Sequence, residues 1–171
     1  SRIGLVGYSA GGHLATLAGC SSDVTSLTGS INDQSVSSEV RCVGVINGVV
    51  LPEYMRGKGK QMYEAWIGSS NADSFKNSLP STHLDSSDPP IYLISGEVDA
   101  ICPLRRVRQF TNLLSQKNIE HELEVIPKTG HIITDPNAYL GLSVFLDSHL
   151  DGNAATVLRK YLQDSGTISK N

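Results

Sequence analysis

Apolar residues along this chain form short blocks, separated by longer segments in which apolar positions recur at helical spacing. The blocks are rich in branched side chains, and we predict buried strands over Arg2–Tyr8, Arg41–Val50, Ile91–Ser95 and His121–Ile126. The longer segments predict helices over Ala10–Cys20, Pro103–Asn118, Pro136–Leu150 and Ala154–Asp164. Strands that alternate with helices are typical of an α/β fold, in which a mostly parallel sheet is flanked by helices.

The remaining segments are predicted to be connections. Ser21–Glu39 is rich in serine, threonine, asparagine and aspartate and is expected to form an exposed loop. Leu51–Pro80 is expected to be irregular, apart from a short helical piece over Gln61–Ile67. With 171 residues the chain has the length of a single domain, and we assign residues 1–171 to one domain.

Composition and charge narrow the classes of function. The formal net charge of −3 gives no reason to expect nucleic acid or an anionic membrane as a partner, and no apolar run reaches membrane-spanning length. The three cysteines are an odd number without metal-ligand spacing, so we expect buried thiols rather than disulfides. We expect neither a metal site nor a cofactor. The sequence does not identify the cellular compartment, although it favours the cytoplasm.

A serine motif stands between the first predicted strand and the first predicted helix. Residues 7–11 read Gly-Tyr-Ser-Ala-Gly, the G-x-S-x-G pattern of a nucleophile elbow. The turn of such an elbow is tight, so we expect that Gly7 and Gly11 must both be small to avoid its opposite arm. The elbow would expose the Ser9 hydroxyl and direct the Ala10 N–H towards a developing oxyanion. The glycine spacing fits neither a P-loop nor the dinucleotide-binding fingerprint.

Partners for the serine are expected after the later strands, because a parallel sheet carries reactive groups at the carboxyl ends of its strands. Asp99 follows the third predicted strand, and His131 follows the fourth. A histidine can take the proton of an attacking serine, and a carboxylate can orient the imidazole. We therefore predict Ser9, Asp99 and His131 as a catalytic triad. Glu97 and Asp135 remain alternatives for the carboxylate.

Four other histidines are weaker candidates for the base. His13 lies in the helix after the serine motif and is expected to pack there or to lie at the rim of the site. His121 opens a predicted strand, and His149 lies late in a predicted helix. His83 lies in a loop that could approach the site, but no catalytic base is expected at that point of the chain. His131, directly after the fourth strand, is preferred.

Three segments together resemble a known family. They are Gly-Tyr-Ser-Ala-Gly-Gly-His-Leu-Ala from Gly7, Pro-Pro-Ile-Tyr-Leu-Ile-Ser-Gly-Glu-Val-Asp up to Asp99, and Thr-Gly-His up to His131. In this order they resemble the esterase/lipase branch of the α/β-hydrolases, over about residues 2–150. The resemblance is greatest to carboxylesterases and feruloyl-esterase-like enzymes. It is specific for the superfamily and not for a substrate.

The resemblance implies a Ser9–His131–Asp99 triad, with the Ala10 N–H as one oxyanion donor and a small-molecule ester as substrate. We expect Tyr8 to contact the substrate, and further contacts to come from the irregular stretch between the second and third strands. The leading function is hydrolysis of carboxylic esters through an acyl-enzyme. An amide-cleaving relative, such as a formamidase or peptidase, is one alternative, and a non-catalytic fragment or subunit of a hydrolase is another.

Members of this family carry further strands before the elbow strand, together with a loop that supplies a second oxyanion donor, and this chain shows neither. It resembles the carboxyl-terminal portion of an α/β-hydrolase fold. The predicted strand over Arg2–Tyr8 has the composition of a strand that is buried on both faces, without the charges or prolines of an edge. We therefore expect a missing amino-terminal segment or another chain beside this strand.

Overall fold

The computed structural model of the chain describes residues 3–28, 37–68, 71–150 and 160. The strands are β1 (Gly4–Tyr8), β2 (Cys42–Ile46), β3 (Ile91–Gly96) and β4 (His121–Ile126). The α-helices are α1 (Ala10–Gly19), α2 (Thr25–Thr28), α3 (Gly57–Trp66), α4 (Ala72–Asn77), α5 (Pro80–His83), α6 (Leu104–Gln116) and α7 (Leu140–His149). Short 3-10 helices cover Pro52–Tyr54 and Pro136–Tyr139.

The four described strands form one parallel sheet in the order β1–β2–β3–β4, so strands that are neighbours in sequence are also neighbours in the sheet. At its amino-terminal end Gly4 pairs with Cys42, and Ile91 pairs with His121. Because all the strands are parallel, their four carboxyl ends lie together at the opposite end of the sheet. The predicted α/β fold with a parallel sheet flanked by helices is confirmed.

Both faces of the two central strands, β2 and β3, are covered, and alternate side chains of each strand enter different cores. One core packs β2 and β3 against α1 and α6, and its buried members include Val45, Leu93 and Phe110. The other core packs the intervening residues of the same strands against α7, and it includes Ile94 and Phe145. Strands that are buried on both sides read as continuous apolar runs, which explains the blocks in the sequence.

The segment between β2 and β3 is more helical than predicted. α3 begins at Gly57, four residues before the expected Gln61, and two further helices follow it. α4 begins where the Asn71 side chain accepts a hydrogen bond from the Asp73 N–H at 2.8 Å, and α5 begins at Pro80. Helices this short are fixed by their caps and contacts rather than by an apolar repeat, so periodicity did not reveal them.

An aromatic cluster fastens this segment to α1. Tyr63 of α3 meets the rings of Trp66, Phe75 and His13 with centroid distances of 5.8, 5.8 and 5.5 Å. The Tyr63 hydroxyl also donates to the Ser78 carbonyl oxygen at 2.9 Å. One buried tyrosine thus ties α3, the end of α4 and the elbow helix together.

The other predictions from the sequence have mixed outcomes. Cys20, Cys42 and Cys102 are buried and free, as predicted. The loop expected over residues 21–39 contains the short helix α2, and the last predicted helix, Ala154–Asp164, lies outside the described residues apart from Lys160. In the part of the chain that the structure describes, no helix has the length and apolar character needed to cross a membrane.

Candidate active site

Ser9 stands between β1 and α1 in a backbone conformation that few residues adopt, with a φ of 54°. Its N–H donates to the Ile46 carbonyl oxygen at 2.9 Å, which extends the β1–β2 ladder by one residue. α1 begins at Ala10, so the Ala10 N–H is among the helix-terminal donors that lack a partner inside the helix. A strand, a strained turn and a helix are what the serine motif predicts.

Two glycines make this turn possible, but only one of them, Gly7, belongs to the predicted pair of Gly7 and Gly11. A Cβ at Gly7 would overlap the backbone carbonyl of Gly11. The expectation that Gly11 must be small is wrong, because a Cβ there would meet no atom within 4 Å. Gly11 presents its backbone to β1 and leaves the direction of its Cβ open. The second crowded position is Gly12, where a Cβ would lie 2.9 Å from the Gly48 Cα.

Ser9, His131 and Asp99 are joined by two hydrogen bonds. His131 Nε2 lies 2.9 Å from Ser9 Oγ, and His131 Nδ1 lies 2.8 Å from Asp99 Oδ2. An ionised carboxylate only accepts, so Nδ1 carries the proton and Nε2 is free to accept from the serine hydroxyl. The Asp99 side chain is fully buried, and the His131 side chain is 15% exposed.

Asp99 is also bonded to the backbone of its own loop. Its Oδ1 accepts from the N–H groups of Ile101 and Cys102 at 2.8 and 2.9 Å, just before α6 begins. One carboxylate oxygen thus fixes the loop, and the other fixes the imidazole. The two alternative carboxylates bond elsewhere: Glu97 accepts from the Lys128 N–H, and Asp135 accepts from the Asn137 N–H. Of these three carboxylates, Asp99 is the one that bonds to the imidazole.

The other histidines have structural surroundings. His13 is buried, its Nδ1–H donates to the Val49 carbonyl at 3.0 Å, and burial lowers the pKa of its imidazole. His83 Nε2 donates to the Asn77 carbonyl at 2.8 Å. His121 and His149 bond to carbonyl oxygens of Ile119 and Phe145. Among the described residues, His131 is the histidine that contacts Ser9.

Tyr8, which we expected to contact substrate, lies against His131. Its hydroxyl donates to the His131 carbonyl oxygen at 2.9 Å, and the centroids of the two rings are 5.2 Å apart. The Tyr8 side chain is 44% exposed, so the ring forms part of the surface beside the imidazole. A substrate contact at Tyr8 stays a prediction.

Asn47 was missed in the sequence, although it follows β2 as the other site residues follow their strands. It is fully buried. Its Oδ1 accepts from the Gly96 N–H at 2.8 Å, and its Nδ2 donates to the carbonyls of His131 at 2.6 Å and Gly130 at 3.3 Å. The rule that polar groups gather at the carboxyl ends of parallel strands could have found it.

One group of three side chains among the described residues has the composition of a metal site. The ligand atoms of Asp99, Cys102 and His131 lie within 4.8 Å of one another. Burial, with a smaller effect of Asp99, raises the pKa of the Cys102 thiol to about 12, so the thiol keeps its proton at neutral pH. A metal here would also have to break the bond between Asp99 and His131. The group gives no independent indication of a metal.

Comparison with known proteins assigns the chain to a family. A family model named BD-FAE matches residues 1–114, which contain the serine motif and Asp99. The chain belongs to the BD-FAE family. Over 120 residues this BD-FAE chain is 27% identical to the probable carboxylic ester hydrolase LipM of Mycobacterium tuberculosis, a match that covers 67% of the chain and 28% of LipM. Its family is one of esterase-like hydrolases.

Solved structures of esterases share the fold. A truncated carbohydrate esterase from gut microbiota matches with a TM-score of 0.75 and 22% identity, over 87% of this chain and 60% of that one. Thermogutta terrifontis esterase 2, in the form phosphonylated by sarin, matches with a TM-score of 0.68 and 19% identity, over 99% and 59%. The BD-FAE chain thus has the fold of these esterases and spans less than two thirds of each relative.

Proposed function

We propose that Ser9 is the nucleophile, His131 the general base and Asp99 the orienting carboxylate for hydrolysis of a carboxylic ester by the complete protein. The observation that carries this proposal is the unbroken line of two hydrogen bonds, 2.9 and 2.8 Å long, from the Ser9 hydroxyl to the Asp99 carboxylate. An ester substrate is supported by the similarity to LipM, which is described as a probable carboxylic ester hydrolase.

The chemistry follows from the donors and acceptors in this line. Ser9 Oγ attacks the carbonyl carbon of the ester while its proton passes to His131 Nε2. The carbonyl oxygen becomes an oxyanion, for which the Ala10 N–H is one donor. Collapse of this intermediate expels the alcohol, which takes the proton from Nε2 and leaves an acyl group on Ser9. Water then attacks the acyl group by the same two proton transfers and regenerates the serine.

The surroundings of the acid and base suggest the kind of ester. Val98, Ile101 and Ile132 flank Asp99 and His131 in sequence, and their side chains are 61, 63 and 74% exposed. We propose that these apolar groups, together with the Tyr8 ring, contact an uncharged part of a small-molecule ester. We expect short acyl chains to be the better substrates, and a series of nitrophenyl esters of increasing chain length measures this preference.

We also propose that residues 1–171 are part of one larger domain, in which further polypeptide pairs with β1. In the described sheet, β1 has a neighbouring strand on one side. The partial coverage of LipM, 28% of its length, is consistent with a larger protein. The same polypeptide would supply a second oxyanion donor, whose loss from an esterase site typically costs about 10²–10³ in rate.

The test is a pair of serine variants of the complete protein, assayed on nitrophenyl acetate and with a fluorophosphonate probe. We expect Ser9→Ala to lower kcat by at least about 10³-fold and to abolish labelling, since the nucleophile is lost while alanine fits the turn. Ser143→Ala is the matched control. Its hydroxyl is buried and has no hydrogen-bond partner among the described residues, so its removal leaves both readouts unchanged.

A Ser9→Ala protein with full turnover and normal thermal unfolding would contradict the nucleophile assignment. Absence of labelling in the folded, unmodified complete protein would favour the non-catalytic alternative instead. The 171-residue chain is tested beside the complete protein, and we expect its activity to be far lower. Equal activity of the two would argue against a contribution from further polypeptide.

A further inference from the structure

We propose that Asn47 is a positioning residue that holds the Asp99 and His131 loops at fixed distances from Ser9. This inference rests on the proposed function of those three residues. Its basis is that one buried amide bonds to the backbone of both loops. The Gly96 N–H that it accepts from lies three residues before Asp99, and one of the carbonyls that it donates to is that of His131 itself.

The chemistry of the Asn47 side chain fits its surroundings in one orientation only. Its oxygen faces an N–H group, and its NH₂ group faces the carbonyl oxygens of Gly130 and His131. A reversed amide would bring oxygen against two carbonyl oxygens and leave the Gly96 N–H against a donor. Both donor hydrogens and the acceptor are therefore used, as a fully buried amide requires.

The backbone at Asn47 also helps to hold the loops in place relative to Ser9. Its φ is 44°, in the left-handed region that asparagine enters more readily than most residues. β2 ends here, and the turn carries the chain back so that the Val49 N–H donates to the Ser9 carbonyl at 3.3 Å. The turn after β2 thus bonds to the elbow through its backbone and to the acid and base loops through the Asn47 side chain.

The two loops that Asn47 joins are packed backbone against backbone. A Cβ at Gly96 would overlap the carbonyl oxygens of Thr129 and Gly130, so the loops touch where Asn47 bonds to them. The Tyr8 hydroxyl also donates to the His131 carbonyl, but Tyr8 is 44% exposed and its bond competes with water. The bonds of the buried Asn47 have no such competitor, so they contribute more to holding the loops.

The consequence for the reaction is geometric. Proton transfer needs the distances between Ser9, His131 and Asp99 that the structure has, and these three residues lie on three different loops. A displacement of about 1 Å at a reacting group can cost about 10² in rate. The Val98 N–H still joins the two loops through the Thr129 carbonyl at 3.0 Å. Loss of the Asn47 amide instead releases both loops from the turn after β2, which bonds to Ser9, so it should lower kcat more than it raises KM.

The experiment uses Asn47→Gly in the complete protein, because glycine accepts the positive φ and removes only the side chain. Asn118→Gly is the matched control: Asn118 has a φ of 58°, is exposed and lies beyond the end of α6, away from the site. At a temperature where both variants are folded, we expect Asn47→Gly to lower kcat and the rate of fluorophosphonate labelling about 10- to 100-fold with KM within about threefold. The control changes neither.

Asn47→Asp is the second variant if glycine prevents folding. Aspartate keeps the acceptor for Gly96 and the tolerance for positive φ, but as a carboxylate it has no hydrogen to donate. Labelling is measured on the folded fraction, so partial misfolding does not hide the result. A folded Asn47 variant with kcat within threefold of the parent would overturn the positioning role, even if its unfolding temperature fell. If Ser9→Ala retains activity, the proposed function fails and this inference falls with it.

Discussion

The two outer strands of the described sheet, β1 and β4, are built differently. β1 carries no charged residue, and its side chains Val6 and Tyr8 are 50% and 44% exposed. β4 has the same parallel pairing on one side but carries His121, Glu122 and Glu124 among its six residues. Outer strands are commonly protected by charges, which discourage pairing with further polypeptide. β4 has the sequence of a sheet edge, and β1 has that of an interior strand.

The difference matters because each of these strands leads to a residue of the proposed triad. His131 follows β4, and the hydrogen-bond partners of its imidazole, Asp99 and Ser9, lie within the described residues. Ser9 follows the strand whose outer side is apolar. We propose that further polypeptide pairs with β1 on this side and supplies the second oxyanion donor.

Proline substitution gives the largest expected effect, and it tests whether β1 is an interior strand and β4 an edge strand. The Ser9 N–H faces β2, so by alternation the Val6 N–H faces away from β2. The Ile126 carbonyl faces β3, so the Leu123 N–H faces away from β3 in the same manner. Proline removes an N–H, which an edge strand tolerates on its outer side and an interior strand does not.

We expect Val6→Pro to destabilise the complete protein by about 3 kcal/mol or more, whereas Leu123→Pro should be much milder. Chemical denaturation of both variants, each compared with alanine at the same position, separates loss of the N–H from loss of the side chain. In the 171-residue chain, both prolines should have similar small effects. If the two prolines also behave alike in the complete protein, β1 is a true edge and the proposed neighbouring polypeptide is not paired with it.

The fold and most of the candidate site could be predicted because they depend on local sequence. Buried parallel strands are continuous apolar runs, and the site residues Ser9, Asp99 and His131 each follow the end of a strand within five residues. Ser9, Asp99 and His131 were found in this way, and the hydrogen bonds in the structure join these same residues. Their catalytic roles stay proposals until the variants are measured.

Other features could not be predicted, because they depend on which segments meet in space. The place of Asn47 after β2 could have marked it as a site residue, but its role in joining two loops depends on bonds to residues 49 to 84 positions away. The requirement for glycine at position 12 arises from the approach of Gly48, and the motif alone pointed to Gly11. The helices between β2 and β3 depend on an aromatic cluster around Tyr63 that no periodic pattern announces.

Alanine substitution at Gly7 and Gly11 tests the packing of β1 against α1, a contact that lies wholly within the described residues. Gly7→Ala would drive its Cβ into the Gly11 carbonyl, and we expect a loss of about 1–3 kcal/mol in stability together with loss of ester hydrolysis. Gly11→Ala meets open space in a helix and should be neutral or stabilising by up to about 1 kcal/mol. Thermal unfolding of both variants is the measurement. Equal losses would restore the original expectation that both positions must be small.

The smallest effect is expected at the other outer strand, where Glu122 is exposed on β4. Glu122→Val should change stability by no more than about 0.5 kcal/mol, as an exposed substitution. It removes a charge that protects the edge, so we expect more self-association in sedimentation at rising protein concentration. Glu39→Val, an equal change of charge at an exposed position outside the strands, is the control. Equal association of both variants would attribute the effect to net charge rather than to β4. No association of either would mean that β4 needs no protecting carboxylate, and its charges would then not distinguish it from β1.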